Sequence, residues 1–363
     1  MSGVTLSFGG GLSRIYSASL DSIRRTFRAH IPLYVCAGLF VTATFAVVSL
    51  LHRPMEFATS LTFLNYIADF ALIVIPFAAM LKLIALFRDG CEAPLSGLAQ
   101  SMGASFAAED RPGNMFHSVL TFTPLMMSFA GLKDQIPHIE PFSWDQTFMQ
   151  WDRALGFGRL PWEWIQPLVD HPLVMSALSF NYDLWFLIMF VCLFWQAFAA
   201  KNGLLRMQFL LAFAFAWFIG GNVLAVIFSS AGPCFYGHFF HHDPYAPQMA
   251  ALRAMSLHWP IWSVHVQDVL WQAYLTGTGN VSGISAMPSM HVMSSVLLAL
   301  LGWCTNKWLG VALTLFTALI AIGAVALGWH YAVDAIAGAG LGLAFWMFAG
   351  LAARKFSAPP ATA

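Results

Sequence analysis

Charge is scarce in this chain: Asp, Glu, Lys and Arg make up only 9% of its residues, where soluble globular chains carry roughly a quarter. A water-facing surface cannot be built from so few ionic groups, and 59% of the residues are hydrophobic. Net charge is zero and no long basic run exists, so the electrostatic footprint of a nucleic-acid-binding protein is missing. Cysteine is thin as well. Cys36, Cys91, Cys192, Cys234 and Cys304 show no close pairing and no CxxC spacing, which argues against a disulfide or zinc framework and for packing roles. The segment up to His30 holds Arg14, Arg24, Arg25 and Arg28 but no short apolar core with a small-residue cleavage site. It reads as an amphipathic cytoplasmic lead-in, not as a cleaved signal peptide. No tandem repeat of fixed period is evident, and biased composition is confined to the tail Ser357–Ala363, expected to be disordered.

What the chain does have is apolar length. A helix needs about 20 mostly apolar residues to cross a bilayer, and several stretches reach it. Breaks at charged or Pro/Gly-rich positions give about eight spans: Ile31–Leu51, Leu61–Phe87, Met115–Leu132, Val174–Ala199, Leu204–Ser230, Met287–Trp303, Trp308–Leu327 and Tyr331–Ala352. The fold class expected is therefore all-α, a polytopic membrane helical bundle. Lys and Arg accumulate on the cytoplasmic side of membrane proteins. With both termini inside, only Arg53, Lys133, Arg153, Arg159 and Arg253 fall on outer segments. Two outer segments, Lys133–Leu173 and Ala231–Ala286, are too long to be mere connectors. In the first, Trp144, Trp151, Trp162 and Trp164 suit short helices at the headgroup level, serving either as anchors or as substrate contacts.

Two polar patterns interrupt the last three spans, Ser285-Ala-Met-Pro-Ser-Met-His291 and Gly328-Trp-His330-Tyr-Ala-Val-Asp334. His330 and Asp334 are four apart at a helix start, so both share one face and the carboxylate can hold an imidazole N–H. Such a pairing fixes the tautomer and raises the basicity of the other ring nitrogen, as a nucleophile or general base requires. Pro288 suits the opening turn of a helix, leaving the amides of Ser289, Met290 and His291 free to face an anion. With the Ser289 hydroxyl, this turn forms a candidate phosphate cradle, and His291 lies one turn in, placed to protonate a leaving oxygen. The estimated spans put all three of His291, His330 and Asp334 on one outer face. Singly, each residue is also explained as an interfacial histidine or a helix-start aspartate. Their order, the Pro-Ser before one His and the shared face are what favour a site.

Pro288-Ser289-Met290-His291 and His330-x-x-x-Asp334 resemble the second and third motifs of the type 2 phosphatidic acid phosphatase (PAP2) superfamily, in the form of its inositol phosphorylceramide synthase branch. The resemblance covers mainly Phe228–Gly342. It implies a lipid phosphotransferase with His330 as the nucleophile forming a phosphoenzyme, Asp334 as its orienter and His291 as acid, then base. It implies no cofactor and no metal. A phosphate-linked lipid and the membrane itself are the implied partners, with the site on the outer, periplasmic face of a bacterial cytoplasmic membrane. The division expected is a lead-in over 1–30, helices plus an outer segment over 31–173, a catalytic membrane domain over 174–352 and a tail over 353–363.

Departures from the family pattern are informative. Its phosphatases carry a Lys seven residues before an Arg-Pro pair, and an Arg six before the third-motif histidine. The aligned positions here are Ala225, Gly232-Pro233 and Ala324. A phosphomonoester dianion needs more compensation than a diester monoanion, so a diester donor is the better fit and simple phosphatase action the alternative. Ser229–Tyr236 still occupies the first-motif place, with Gly232-Pro233 as a helix stop, Pro233 as part of the site and Tyr236 as a candidate headgroup contact. Arg111-Pro112 lies on the inner side and reads as a chance match.

Among other features, Asp183 lies within a span beside Asn181 and Tyr182, where an ionisable group must face a cavity or partner; it is a candidate headgroup ligand. Asp69 is similar but less well placed. His238, His241, His242 and Asp243 could suggest a metal site, though a solvated polar loop is the better reading, because no second ligand group stands at helical or hairpin spacing. Gly277–Gly283 and Gly338–Gly342 lack the residues of phosphate loops and suit a flexible loop and close helix packing. Intramembrane Asp69 and Asp183 keep a transporter or structural membrane protein open as a further class, against which stands the lack of an inverted repeat.

Overall fold

The computed structural model describes residues 8–52, 57–201, 203–277 and 283–356. The tail Ser357–Ala363, Arg53 and most of Gly277–Gly283 lie outside the described residues, as does the side chain of Asp69. The chain is 81% helix, with no strand among the described residues. Among the described residues six helical stretches are long and apolar enough to cross a membrane: Ser17–Leu50, Arg111–Lys133, Pro172–Ala197, Leu204–Ile227, Lys307–Ala326 and Ala332–Phe356. This is an integral multi-pass membrane protein. Of the eight spans expected, Met287–Trp303 becomes a shorter apolar helix, Met290–Thr305, and Leu61–Phe87 lies within the helix Phe57–Arg88.

The first half contains α1 (Phe8–Leu50), α2 (Phe57–Arg88), α3 (Pro94–Phe106) and α4 (Arg111–Lys133). From Phe8 onward the lead-in and the first span form one uninterrupted helix. Pro32 removes only its own N–H from the ladder, and α1 lies against α4 over a long interface that keeps the helix whole. Short helices follow, α5 (Ile136–Ile139), α6 (Asp145–Leu155) and α7 (Pro161–Val169), before α8 (Pro172–Ala197). α9 (Leu204–Phe215) runs into a π-helical stretch, Ala216–Leu224, and ends as α10 (Ala225–Ile227). The π stretch brings Gly220 against Met293 and Gly221 against Phe129 and Met290, where a Cβ would collide. Small residues thus let α4, α9 and the second-motif helix meet closely.

After α11 (Tyr236–Phe239), α12 (Ala246–Ser256) and α13 (Trp262–Thr276), the chain completes its core with α14 (Met290–Thr305), α15 (Lys307–Ala326) and α16 (Ala332–Phe356). α14 and α15 form an antiparallel hairpin joined by Asn306 alone, whose Oδ1 accepts the Leu309 N–H at 2.9 Å. Gly302 and Gly310 permit the close approach. α16 then returns beside α14, with Gly338 against the Ser289 carbonyl and Gly342 against that of Met293. Two reversals therefore bring the start of α14 and the start of α16 to the same end of the bundle.

Candidate active site

The bond network at that end starts with Asp145 and Asp152, two carboxylates on α6 that lie seven residues, about two helical turns, apart. Asp145 is fully buried. It accepts the N–H groups of Ala231 (2.9 Å) and Gly232 (2.8 Å) and the Tyr331 hydroxyl (2.7 Å). Asp152 accepts the N–H groups of Ala332 and Val333, both at 2.9 Å, and so caps the start of α16. Burial pushes the Asp152 carboxyl up to about 7, against the opposing pull of those two N–H bonds. Burial likewise raises the Asp145 carboxyl. α6 thus clamps the first-motif loop and the third-motif turn together.

Between these loops runs the segment from Gly283 to Ser289. The Gly283 N–H donates to Asp134 Oδ1 (2.6 Å), the Ala286 N–H to the Ser230 carbonyl (2.9 Å) and the Met287 N–H to Ser230 Oγ (3.2 Å). Gly232, at φ +97°, lies against the Trp329 carbonyl, and the Cys234 N–H donates to the Gly328 carbonyl at 2.8 Å. Pro233 is buried and opens a short 3-10 turn, Pro233–Phe235.

His330 is held from two sides. Its amide donates to the Ala324 carbonyl (3.0 Å), and its Nδ1 stands 2.8 Å from the Ala286 carbonyl. A carbonyl only accepts, so Nδ1 carries the proton and Nε2 keeps a lone pair. Burial, the largest cause, lowers His330 to about 3; the Ala286 carbonyl opposes this and the charge of Lys133 reinforces it. Asp334 Oδ2 stands 3.5 Å from Nδ1 and accepts the Tyr331 N–H at 3.0 Å. The Nδ1–H bond expected for Asp334 goes to Ala286 instead, because Asp334 is turned back onto the first turn of its own helix. The carboxylate remains near enough to stabilise positive charge on the ring.

His291 lies opposite, with the two imidazole centroids 5.8 Å apart in an edge-to-face arrangement. Its ring is stacked on Tyr182 at 4.2 Å and packed on Trp185 at 4.2 Å, and its Nδ1 has no hydrogen-bond partner among the described residues. Trp185 is fixed by its Nε1–H donating to Ser294 Oγ at 2.8 Å. Pro288 does not open α14. Ser289 is the N-cap, its Oγ accepting the Val292 N–H at 3.4 Å and its own N–H donating to the Asp334 carbonyl at 3.1 Å. The first-turn amides that the helix itself leaves without an acceptor are those of Met290 and His291.

The remaining expected residues fall elsewhere. The Tyr236 ring packs with Phe240 and Tyr245 beneath α6. Asp183 follows Tyr182 on α8, and its Oδ2 is buried without a partner among the described residues. His238 stacks on Trp271 at 3.8 Å, while Asp243 Oδ1 accepts the Tyr245 N–H at 2.8 Å. Ala225 and Ala324, where the family pattern has cations, are buried. Sequence reading does not single out Asp145 and Asp152; the signal is there, two acids one heptad apart on a short helix beside Trp144 and Trp151, in a segment that the pattern leaves open between membrane anchoring and substrate contact. It also misses Tyr182 and Trp185, whose i, i+3 spacing faces both toward His291.

The family model of the PAP2 superfamily matches residues 146–348, from within α6 into α16. Comparison with curated proteins and with solved structures finds no match.

Proposed function

Because the chain belongs to the PAP2 superfamily, whose members are generally phosphatases or phosphotransferases, we propose that it moves a phosphate-linked headgroup between lipids through a phosphohistidine. The observation that carries this reading is the imidazole pair, 5.8 Å apart, with the His330 proton committed to Nδ1. His330 Nε2 attacks phosphorus, and the bond from phosphorus to the leaving oxygen breaks. His291, in the imidazolium form favoured beside a bound anion, gives its proton to that oxygen. The acceptor hydroxyl then gives its proton to His291 and attacks phosphorus, the P–N bond breaks, and both residues return to their starting states. The Ala286 carbonyl and the Asp334 carboxylate offset the positive charge of the phosphorylated ring. The amides of Met290 and His291 are directed at the phosphate oxygens.

The absence of cations at 225, 232–233 and 324 favours a diester donor over a monoester. Concentration of Lys and Arg at the other ends of the spans supports a site on the outer, periplasmic side. The test is incubation of purified protein with a headgroup-labelled phospholipid, with and without an alcohol acceptor such as inositol or a ceramide. Transfer of label to the acceptor, and an acid-labile phosphoprotein lost in His330→Ala, is expected. Release of inorganic phosphate alone would overturn the transferase assignment in favour of a phosphatase.

A further inference from the structure

Three family cations are replaced here by small residues, so a phosphate bound between the imidazoles needs positive charge from elsewhere. Lys133, the last residue of α4, is 9% exposed; the adjacent Asp134 carboxylate, itself bonded to the Gly283 N–H, acts on its charge, and no hydrogen bond or contact ion pair holds its ammonium among the described residues. A lysine that deep is retained against a large desolvation penalty unless an anion offsets it. Its position is set by two sets of contacts. Phe129, one turn earlier and about 6 Å along the helix, meets Gly221 together with Met290, the neighbour of His291. The Lys133 carbonyl lies against Gly283, and the next residue, Asp134, accepts the Gly283 N–H. Gly283 opens the segment whose Ala286 carbonyl holds His330. The charge of Lys133 acts on both His291 and His330.

We propose that Lys133 is the cation that binds the transferring phosphate, supplied by α4 from outside the stretch shared with the family. The inference rests on reading His291 and His330 as the reacting pair. One ammonium facing one phosphodiester monoanion leaves the loaded site near neutrality, whereas a monoester dianion leaves a net negative charge in a buried place. Lys133 therefore also sets the substrate class toward diesters.

The experiment measures two quantities on purified Lys133→Met, Lys133→Gln and Lys133→Arg proteins: thermal stabilisation by orthovanadate, an anion of phosphate shape, and kcat/KM on a labelled lipid phosphodiester. Lys133→Met and Lys133→Gln should lose the vanadate-induced rise in Tm and about 100-fold or more in kcat/KM. Lys133→Arg should keep most of the vanadate effect. If either uncharged variant retains both quantities within about threefold, or if the wild-type protein gains no stability from vanadate, the assignment falls. Lys133-dependent vanadate stabilisation without turnover of any lipid phosphate would instead sink the lipid phosphotransferase reading while leaving Lys133 as an anion ligand.

Discussion

Among the described residues two pairs of histidines pack together within this bundle, one pair fully buried and the other half-buried at His291, and their surroundings differ. At the end of the bundle away from the motifs, His30 and His117 have ring centroids 4.7 Å apart. Each ring nitrogen there is engaged. His30 meets the Thr26 carbonyl at 2.8 Å and Arg206 at 3.0 Å, while His117 meets the Tyr34 hydroxyl at 2.8 Å and the Ile23 carbonyl at 2.9 Å. Arg206 continues the network to Gln196, Ala197, Asn114 and Ser118, tying α1, α4, α8 and α9 together. At the motif end, by contrast, His330 uses one nitrogen and His291 Nδ1 has no partner among the described residues. α8 measures the separation: Tyr182 touches His291 and Ala197 touches Arg206, fifteen residues or about 22 Å apart. A buried histidine pair is thus not itself a signal of chemistry. Unused ring nitrogens held at fixed orientation are.

The sharpest way to break that comparison is to change each pair in turn. His330→Gln should reduce turnover to background without unfolding the protein, since the glutamine amide can still donate to the Ala286 carbonyl. His30→Gln should instead lower stability by about 1–3 kcal/mol and leave turnover per folded molecule within about threefold. Equal loss of activity in both would show that the two pairs do not differ in kind. His291→Gln comes next, with kcat expected to fall about 10²–10⁴-fold and Tm almost unchanged, read by turnover and by thermal unfolding in detergent. Asp152→Ala leaves the Ala332 and Val333 amides without their acceptor, at about 1–3 kcal/mol each. It should lower Tm and, by loosening the turn that carries His330, kcat as well. A drop in neither would remove α6 from its role as a clamp.

The smallest effect is one of pH. The folded protein keeps a proton on Asp152 up to about pH 7, whereas the unfolded chain releases it near the ordinary aspartate value of about 3.9. Between those values the native state binds more protons, so this group's contribution to stability is fully present below the lower value and is lost as pH rises through the upper one. His330, lowered to about 3, contributes with the opposite sign over the same range, so the contribution of Asp152 is read as a difference: between pH 4 and pH 8 the Tm of the wild-type protein should fall relative to that of Asp152→Asn as pH rises. An unchanged slope in that variant would remove Asp152 as the group responsible. Asp145, raised by the same cause, contributes in the same direction.

The local reading was strongest where the chemistry is carried by neighbours in the chain. Apolar runs of bilayer length determined the helical membrane class by themselves, because lipid leaves backbone amides no partner outside a helix. The Pro-Ser-x-His and His-x-x-x-Asp patterns located both imidazoles. The periodicity of the last three helices brought their ends to one side. What the sequence did not disclose is who holds whom. The hydrogen bond from His330 to Ala286 spans 44 residues, and the one from Tyr331 to Asp145 spans 186. Neither leaves a periodic trace, because a backbone carbonyl has no residue identity and a buried acid looks, in one dimension, like any surface acid. Lys133 makes the same point. By its position in the chain it is an outer-segment charge, and only the tertiary packing at the end of α4 leaves it buried. Burial of polar groups is decided by long-range contacts, and so the partners of this site belong to the tertiary structure alone.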